Sequence, residues 1–258
     1  MNEYPVPRVH TRFTHQIEEL LDPHEIPSLY FPVLRDLDSN PFLLLDDVFT
    51  DVELDTLVAA VKKELADGNS HKRMVATRDG GFALDTAIFD TTEVKPQSIE
   101  AVMCIKNGII NRAIREHWDF NDTLGYPNTW AGMAYEVGGH YISHSDNSIM
   151  EPPYTMIFPS IFSTVLYLND WSHDLKDGGD FEGGELVFTH LVDRVSNSRP
   201  TVYPKRGLLA IFPSNTIFRH KVNPVRAGIR LSLANWMARG RDVHLMSKNP
   251  GIRPEDLA

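Results

Sequence analysis

The sequence predicts a mainly β protein with flanking helices. In the C-terminal half, short strand-like runs of aliphatic, aromatic and β-branched residues follow one another, as in Leu208–Phe212, Thr216–Val222 and Arg230–Met237. In the N-terminal half, two longer stretches carry apolar residues at helical spacing. With 258 residues, 42% of them hydrophobic, the chain can bury a large core, so we expect a single domain over residues 1–258.

The N-terminal elements can be assigned in order. Residues 1–40 contain prolines and lack a regular pattern, so we expect an arm that packs against the core. Phe42–Val48 is predicted to be a strand, and Thr50 and Glu53 form a capping box that begins a helix. The apolar residues of that helix recur at helical spacing: Leu54, Leu57, Val58, Val61 and Leu65.

A second helix is predicted to begin near Pro96 and to lie against the outer face of the major sheet. Lys106 interrupts its apolar stripe, and Cys104 is assigned to the packing of this helix. Between the helices, the glycine-containing stretch Arg78–Thr86 fits either an ordinary surface loop or a mobile substrate lid. We therefore expect a strand and supporting helices over 41–127, the β core over 128–240 and a tail over 241–258.

His144 and Asp146 are the first candidate metal ligands. They lie two residues apart in a β-prone stretch, so on a strand both would point to the same face. His220, in another strand-like run, is the natural third ligand. Two imidazoles and one carboxylate form a facial triad that suits non-haem Fe(II) and leaves coordination positions open. A structural zinc site would normally need a fourth ligand, and the only cysteine, Cys104, is far from these motifs.

Arg230 is the candidate anchor for an anionic co-substrate. It lies on one face of a predicted strand with Ser232, Ala234 and Trp236, while Leu231, Leu233 and Met237 lie on the other. A guanidinium presents a planar fork that binds a carboxylate in a bidentate manner. Arg230 is thus well placed to hold the far end of a dicarboxylate that chelates the metal.

Several ordered motifs between residues 128 and 240 resemble known oxygenases. The pattern Y-x-x-G-x-x-Y-x-x-H-x-D, filled by Tyr135, Gly138, Tyr141, His144 and Asp146, resembles the iron-binding strand of the prolyl 4-hydroxylase type of 2-oxoglutarate oxygenase. The stretches Ser163–Asp170, Asp180–Thr189 and Pro204–Gly207 resemble the catalytic domain of the prolyl 3-hydroxylases, or leprecans. Several motifs in the same order make chance agreement improbable.

This resemblance implies a double-stranded β-helix core, a jelly roll of the cupin-like kind. It implies Fe(II) held by His144, Asp146 and His220 as the catalytic centre, with 2-oxoglutarate and O2 as co-substrates and ascorbate as a potential reductant. Arg230 would bind the distal carboxylate of 2-oxoglutarate, with Tyr135 and Tyr167 as hydroxyl partners. The substrate pocket is predicted to include Tyr141, His140, Asn147, Trp236 and Arg78. Halogenases of this type replace the carboxylate ligand with a small residue, so Asp146 favours hydroxylation.

The resemblance implies an oxygenase that hydroxylates an unactivated C–H bond and releases succinate and CO2. We expect the substrate to be a free amino acid, an imino acid such as proline or pipecolate, or a related small molecule. Residues such as Arg78, Asp85, His140 and Asn147 could supply its counter-charges. The alternatives are a peptidyl-prolyl hydroxylase, a zinc hydrolase with the same ligands, and a non-catalytic module that binds metal and 2-oxoglutarate.

Composition limits which binding partners and which cellular compartment we expect. A net charge of −10 and a pI near 5.5 argue against a nucleic-acid substrate, which normally needs a basic surface. One cysteine allows no disulfide within the chain, and the sequence contains neither an apolar signal core nor a run of membrane-spanning length. We expect a cytoplasmic protein without a membrane partner; the sequence does not predict its oligomeric state.

Overall fold

The computed structural model describes residues 8–9, 17–19, 42–73, 75–76, 82–118, 120, 122–125, 130–146, 160–193 and 196–240. Two α-helices and three short 3-10 helices are present in these ranges: α1 (Asp51–Ala66), α2 (Glu100–Trp118), Gln97–Ile99, Leu175–Asp177 and Thr216–Phe218. The strands, in chain order, are β1 (Arg8–Val9), β2 (Ile17–Glu19), β3 (Leu43–Asp46), β4 (Ser70–Lys72), β5 (Val75–Ala76), β6 (Phe82–Ala83), β7 (Phe89–Asp90), β8 (Thr92–Val94), β9 (Leu124–Gly125), β10 (Ala131–Tyr135), β11 (His140–His144), β12 (Ser160–Tyr167), β13 (Phe181–Gly183), β14 (Leu186–Phe188), β15 (Leu191–Asp193), β16 (Thr201–Val202), β17 (Leu209–Pro213), β18 (His220–Val222), β19 (Val225–Gly228) and β20 (Arg230–Arg239). The prediction of a mainly β protein with flanking helices is confirmed.

Two antiparallel sheets form the core of the fold. The larger has nine strands in the order β1-β3-β17-β12-β20-β10-β8-β4, with β9 paired to β20. The smaller has five strands in the order β16-β14-β18-β11-β7. Three further two-stranded sheets pair β13 with β19, β15 with β2 and β5 with β6. Neighbouring strands in both main sheets are far apart in sequence, so each sheet closes only when distant segments meet.

Apolar side chains alternate between the two faces of the large sheet and form two separate buried clusters. Leu43 and Leu45 of β3 pack with the helices in one buried cluster, whereas Leu44 packs in a second cluster with residues of the small sheet such as Leu186 and Phe188. Side chains of successive strand residues point to opposite faces, which produces this division. One face of the large sheet is therefore covered by helices and the other by the small sheet.

Helix α1 forms as its capping box predicts. The Thr50 hydroxyl accepts a hydrogen bond from the backbone N–H of Glu53, and the Glu53 carboxylate accepts one from the backbone N–H of Thr50. Helix α2 follows a 3-10 turn that begins after Pro96, and its buried residues pack in the same cluster as the large sheet. Both helices lie where the apolar spacing predicts.

Two residues of α2 behave differently from the sequence prediction. Lys106 lies on the buried face, where its ammonium is 2.8 Å from the carboxylate of Glu53 and donates a hydrogen bond of 2.9 Å to the carbonyl of Val48. This pairing compensates the burial of the charge, so Lys106 does not break the packed stripe. The assignment of Cys104 to helix packing is wrong, since Cys104 is exposed next to the buried Met103.

The segment before β18 also differs from the prediction. Thr216–Phe218 forms a 3-10 helix instead of the first part of a strand. The side-chain oxygen of Asn215 accepts hydrogen bonds from the backbone N–H groups of Ile217 and Phe218, and this local capping competes with strand pairing. The strand accordingly begins only at His220.

The remaining sequence predictions fall partly outside the described residues. Within the predicted arm, Arg8–Val9 pairs with β3 and Ile17–Glu19 pairs with β15. Residues 78–81 of the predicted lid or loop and the tail 241–258 are not described. Neither α-helix in the described ranges combines the length and apolar character needed to cross a membrane.

Candidate metal centre

The structure brings His144, Asp146 and His220 together between the two sheets. The possible ligand atoms of the three side chains all lie within 4.8 Å of one another. His144 on β11 and His220 on β18 are directly opposite in an antiparallel pairing, which places their rings 4.4 Å apart. The H-x-D spacing predicted that Asp146 lies on the strand with His144, but the structure places it in the turn after β11. Its two oxygens are 3.5 Å from Nε2 of His144 and 3.6 Å from Nε2 of His220.

Backbone carbonyls orient both imidazoles. Nδ1 of His144 lies 2.9 Å from the carbonyl oxygen of Ile142, and Nδ1 of His220 lies 3.0 Å from that of Phe218. A carbonyl can only accept a hydrogen bond, so each Nδ1 must carry the proton. Nε2 of each ring faces Asp146 and is the nitrogen left to coordinate a metal, which is the arrangement a metal ligand needs.

The protonation states also suit a cation. Burial lowers the pKa of His220 to about 4, with the neighbouring His144 acting in the same direction, so its imidazole is neutral at pH 7. Burial alone would raise the pKa of Asp146, but the facing imidazoles and a hydrogen bond from Ser163 hold it well below its usual range. The cluster therefore offers two imidazole nitrogens and one carboxylate, a donor set that fits a divalent transition metal.

Arg230 is the largest fully buried side chain described in the protein, with 2% of its surface exposed. None of the ion pairs among the described residues involves it, its Nε has no hydrogen-bond partner, and its NH1 donates one bond of 3.3 Å to the hydroxyl of Ser232. A buried charge without a counter-ion is costly unless a ligand supplies one. Arg230 thus marks a binding position for an anion.

Two tyrosines enclose the guanidinium of Arg230. Its central carbon lies 4.7 Å from the ring centroid of Tyr135, its cross-strand partner, and 5.2 Å from that of Tyr167. The hydroxyl of Tyr167 is buried and makes no hydrogen bond of good geometry, although it lies close enough to Arg230 for the guanidinium to lower its pKa; burial outweighs this and raises the pKa to about 12, so the phenol keeps its proton. The Tyr167 hydroxyl, which can donate a hydrogen bond, and the Arg230 guanidinium, which needs a counter-ion, therefore lie next to each other.

Gly184 makes room for Arg230. Its φ is +67°, and a Cβ at this position would lie 2.8 Å from Cδ of Arg230 and 3.2 Å from Cγ2 of Val225. Glycine is required here both for the backbone conformation and for the close approach of the arginine. The Gly-Gly-Glu-Leu stretch quoted for the family resemblance thus supports the anion site directly.

A single cavity joins the metal ligands to Arg230. It encloses about 460 Å³ of space, part of it open to solvent. Its lining contains the three candidate ligands, Arg230, Tyr135 and the predicted pocket residues Tyr141 and Trp236. Tyr167 does not line it and reaches the site through its contact with Arg230. Tyr141 stacks on the His144 ring at 3.7 Å. A dicarboxylate could thus contact the metal and Arg230 at the same time.

Of the other residues predicted for the substrate site, the structure describes His140 and Asp85, and neither lines the cavity. His140 does not line the cavity, and its Nδ1 is 2.9 Å from the carbonyl oxygen of Gly138. Arg78 and Asn147 lie outside the described residues. Asp85 is described, but its carboxylate accepts a hydrogen bond from the backbone of Ala87 and it does not line the cavity.

Among the lining residues that were not predicted from the sequence are Arg73 and Ser163. Arg73, just after β4, places its guanidinium carbon 5.5 Å from the ring centroid of Tyr141 and 5.4 Å from that of Trp236. Ser163 on β12 hydrogen-bonds Asp146 and also contacts the hydroxyl of Ser214 at 2.7 Å. Ser163 alternates with apolar residues on a strand and so carries a weak signal, whereas nothing in the sequence around Arg73 indicates a site.

Comparison with known proteins gives matches over the β core. Residues 131–238 match the 2OG-Fe(II) oxygenase superfamily. The chain is 29% identical over 105 residues to a PKHD-type hydroxylase of Psychrobacter sp., covering 40% of this chain and 35% of that protein. It is 33% identical over 119 residues to one of Idiomarina loihiensis, covering 46% and 43%. To prolyl 3-hydroxylase 2 of Homo sapiens it is 26% identical over 141 residues, covering 48% and 18%. The chain therefore spans less than half the length of these relatives.

Solved structures agree on the fold. A Pseudomonas putida prolyl-4-hydroxylase superposes with a TM-score of 0.55 at 19% identity, covering 80% of this chain and 97% of that one. A Trichoplax adhaerens prolyl hydroxylase in complex with a peptide fragment of hypoxia inducible factor gives 0.61 at 18%, covering 85% and 93%. The predicted jelly-roll core is thus confirmed. Residues 131–238 therefore match a 2OG-Fe(II) oxygenase domain, and the fold around them is that of the solved prolyl hydroxylases.

Proposed function

We propose that this protein is an Fe(II)- and 2-oxoglutarate-dependent hydroxylase that acts on a free amino acid, an imino acid or a related small molecule. The single observation that carries the proposal is Arg230, a buried cation without a counter-ion in the cavity that the three metal ligands line. The keto acid would supply the missing anion. The proposal includes succinate and CO2 as products and residues 1–258 as one catalytic domain.

His144, Asp146 and His220 would hold the iron. When bound, Fe(II) supplies the dioxygen chemistry that couples oxidation of 2-oxoglutarate to hydroxylation of a C–H bond. The protein contributes ligands that are already oriented by the carbonyls of Ile142 and Phe218. Three protein ligands leave coordination positions for the co-substrates.

Arg230 and Tyr167 would bind the distal carboxylate of 2-oxoglutarate. The guanidinium and the protonated phenol both donate hydrogen bonds, and the buried setting strengthens charge-assisted bonds. Tyr135 holds the guanidinium through its ring face and is the second hydroxyl proposed to contact the co-substrate. The apolar cavity walls near Leu186 and Val222 exclude water from this end.

The nature of the substrate separates two versions of the proposal. Prolyl hydroxylases that act on peptides occur among the structural neighbours, as the peptide complex from Trichoplax adhaerens illustrates. A peptidyl-prolyl substrate is therefore the alternative to a small molecule. A zinc hydrolase or a non-catalytic binding module is less well supported, since the hydrolase leaves the buried Arg230 without a role and the module does not need open metal positions.

The single described cysteine, Cys104, is exposed and unpaired, which suits a reducing compartment, and we propose a cytoplasmic location. Ascorbate is proposed as the reductant that keeps the iron ferrous between turnovers.

The test combines spectroscopy with product analysis. Fe(II) and 2-oxoglutarate added without oxygen should give the weak visible charge-transfer band of a chelated keto acid. Succinate release is then measured in air across free amino acids, imino acids and proline-containing peptides. Absence of the band in folded protein, or turnover supported by Zn(II) alone, would contradict the proposal.

Matched histidine variants separate ligand loss from general damage. His144→Ala should abolish the band and coupled succinate release, because one metal ligand is lost. His140→Ala, four residues earlier and outside the cavity, should keep both. Equal loss in the two variants would show that the band does not report on the proposed ligands.

A further inference from the structure

Arg73 is a second cation of the cavity that the proposed chemistry does not use. It follows the edge strand β4, and its backbone N–H donates to the carbonyl of Thr91 at 3.2 Å. Its guanidinium carbon lies 5.4 to 5.9 Å from the ring centroids of Trp236, Tyr141 and Phe89. Three rings from three strands thus fix the position of the planar group while leaving its N–H groups without a carboxylate.

Glu93 and Asp146 attract the Arg73 guanidinium and raise its pKa, although burial opposes this, but neither forms an ion pair with it and both have other partners. Asp90 of β7 pairs with Lys72 at 2.6 Å, and Glu93 of β8 lies 3.6 Å from Lys95. None of the ion pairs among the described residues involves Arg73. Asp146, the carboxylate in the cavity lining, belongs to the metal cluster. The guanidinium is therefore available to a ligand.

Charge balance in the cavity indicates what kind of ligand is missing. Arg230 and Arg73 are the two arginines of its lining, and Asp146 is the one carboxylate there. A ferrous ion adds two positive charges and 2-oxoglutarate removes two. One positive charge then remains, and Arg73 carries it at the end of the cavity lined by Tyr141 and Trp236.

We propose that Arg73 binds a carboxylate of the substrate, so that the substrate is an anionic small molecule such as a free amino or imino acid. Arginine suits this role because its fork makes two charge-assisted hydrogen bonds to one carboxylate. The inference rests on the proposed function, since it takes Arg230 to be occupied by 2-oxoglutarate. Tyr141 contacts both Arg73 and His144, so a substrate held by Arg73 lies beside the metal ligands.

The experiment compares acids with their neutral counterparts. Full-length protein with Fe(II) and 2-oxoglutarate is titrated without oxygen with L-proline, L-pipecolate and L-leucine, with the corresponding amides, and with an N-acetylated, C-amidated prolyl peptide. Binding is read from the change in the charge-transfer band, and succinate release is measured afterwards in air. At least one acid should bind about 10-fold or more tightly than its amide.

Substitution of Arg73 provides the decisive comparison. Arg73→Gln should weaken binding of the preferred acid by about 10- to 100-fold and leave the binding of its amide and of 2-oxoglutarate within about 3-fold. Arg73→Lys keeps the charge but not the fork, so it should retain part of the preference. A packing role alone would weaken acid and amide equally.

Three outcomes would overturn the inference: no acid binding better than its amide, tighter binding of the capped peptide, or an equal effect of Arg73→Gln on acid and amide. Failure of the proposed function has a different signature. In that case 2-oxoglutarate would produce no band in the wild-type protein, whatever residue occupies position 73.

Discussion

Replacing Arg230 with methionine should change stability and co-substrate binding in opposite directions. The guanidinium is almost fully buried, its Nε lacks a partner, and its one hydrogen bond among the described residues, to Ser232, is 3.3 Å long. Exchanging a buried ion for an apolar side chain of similar size is neutral or stabilising by about 1–4 kcal/mol. Without 2-oxoglutarate, Arg230→Met should therefore be at least as stable as the wild-type protein.

The same substitution removes the proposed contacts to the distal carboxylate. Two charge-assisted hydrogen bonds contribute about 3–6 kcal/mol, which corresponds to roughly 100- to 10,000-fold weaker binding. Unfolding by urea, with Fe(II) and with or without 2-oxoglutarate under nitrogen, measures both effects. At 100 times its dissociation constant, 2-oxoglutarate should stabilise the wild-type protein by about 2.7 kcal/mol and the variant by far less.

Arg206→Met is the matched control, since this arginine pairs with Asp55 at 2.7 Å on the surface and does not line the cavity. It should leave the 2-oxoglutarate effect unchanged. The reasoning is refuted if Arg230→Met keeps the full 2-oxoglutarate stabilisation. It is also refuted if the substitution destabilises the ligand-free protein by several kcal/mol, because Arg230 would then have a structural partner.

Three further predictions concern the same cavity. Tyr167→Phe removes a hydroxyl that lacks a well-formed hydrogen bond, so the stability of the ligand-free protein in urea should not fall. Isothermal titration should show about 10-fold weaker binding of 2-oxoglutarate, and an unchanged affinity would show that Tyr167 does not contact it. Gly184→Ala would push a Cβ against Arg230 and should raise the 2-oxoglutarate concentration needed for turnover about 10-fold or more. The control Gly178→Ala, at a φ of +90° with no atom within 4 Å of the added Cβ, should cost only the backbone strain of about 1–2 kcal/mol. Equal kinetics in the two variants would contradict the close approach of Gly184 to Arg230. Because the pKa of His220 is lowered from 6.5 to about 4, the metal-free fold binds fewer protons than the unfolded chain, and its stability should fall by about 3 kcal/mol from pH 7 to pH 4 through this residue. His220→Gln should flatten that pH dependence in urea titrations, and an unaltered slope would assign it to other groups.

Local sequence patterns predicted the structure correctly where it depends on the residues of a single helix or strand. The capping box of Thr50 and Glu53 begins α1 because both reciprocal hydrogen bonds are made within four residues. The alternation along β20 places Leu231 toward the helices and Arg230 toward the cavity, as the period of two predicts. These features depend on neighbours in the chain and not on the rest of the fold.

The sequence was insufficient where partners come from distant segments. Lys106 is compatible with a buried helix face only because Glu53 and Val48 of other elements reach it. Arg73 lines the cavity because Phe89, Tyr141 and Trp236, which lie on three different strands, surround its guanidinium. No local sequence pattern predicts contacts between such distant segments. Side-chain capping by Asn215 also outweighed the strand propensity of the residues that follow.

The orientation of the two ligand imidazoles by their own backbones has a consequence for metal exchange. Since the carbonyls of Ile142 and Phe218 impose the ring positions, a chelator that strips the ion should leave the coordinating geometry ready for another divalent cation. Cobalt, nickel or zinc would then compete with iron by abundance and intrinsic affinity and not by shape, so the cell's metal supply would decide how much of the protein is active.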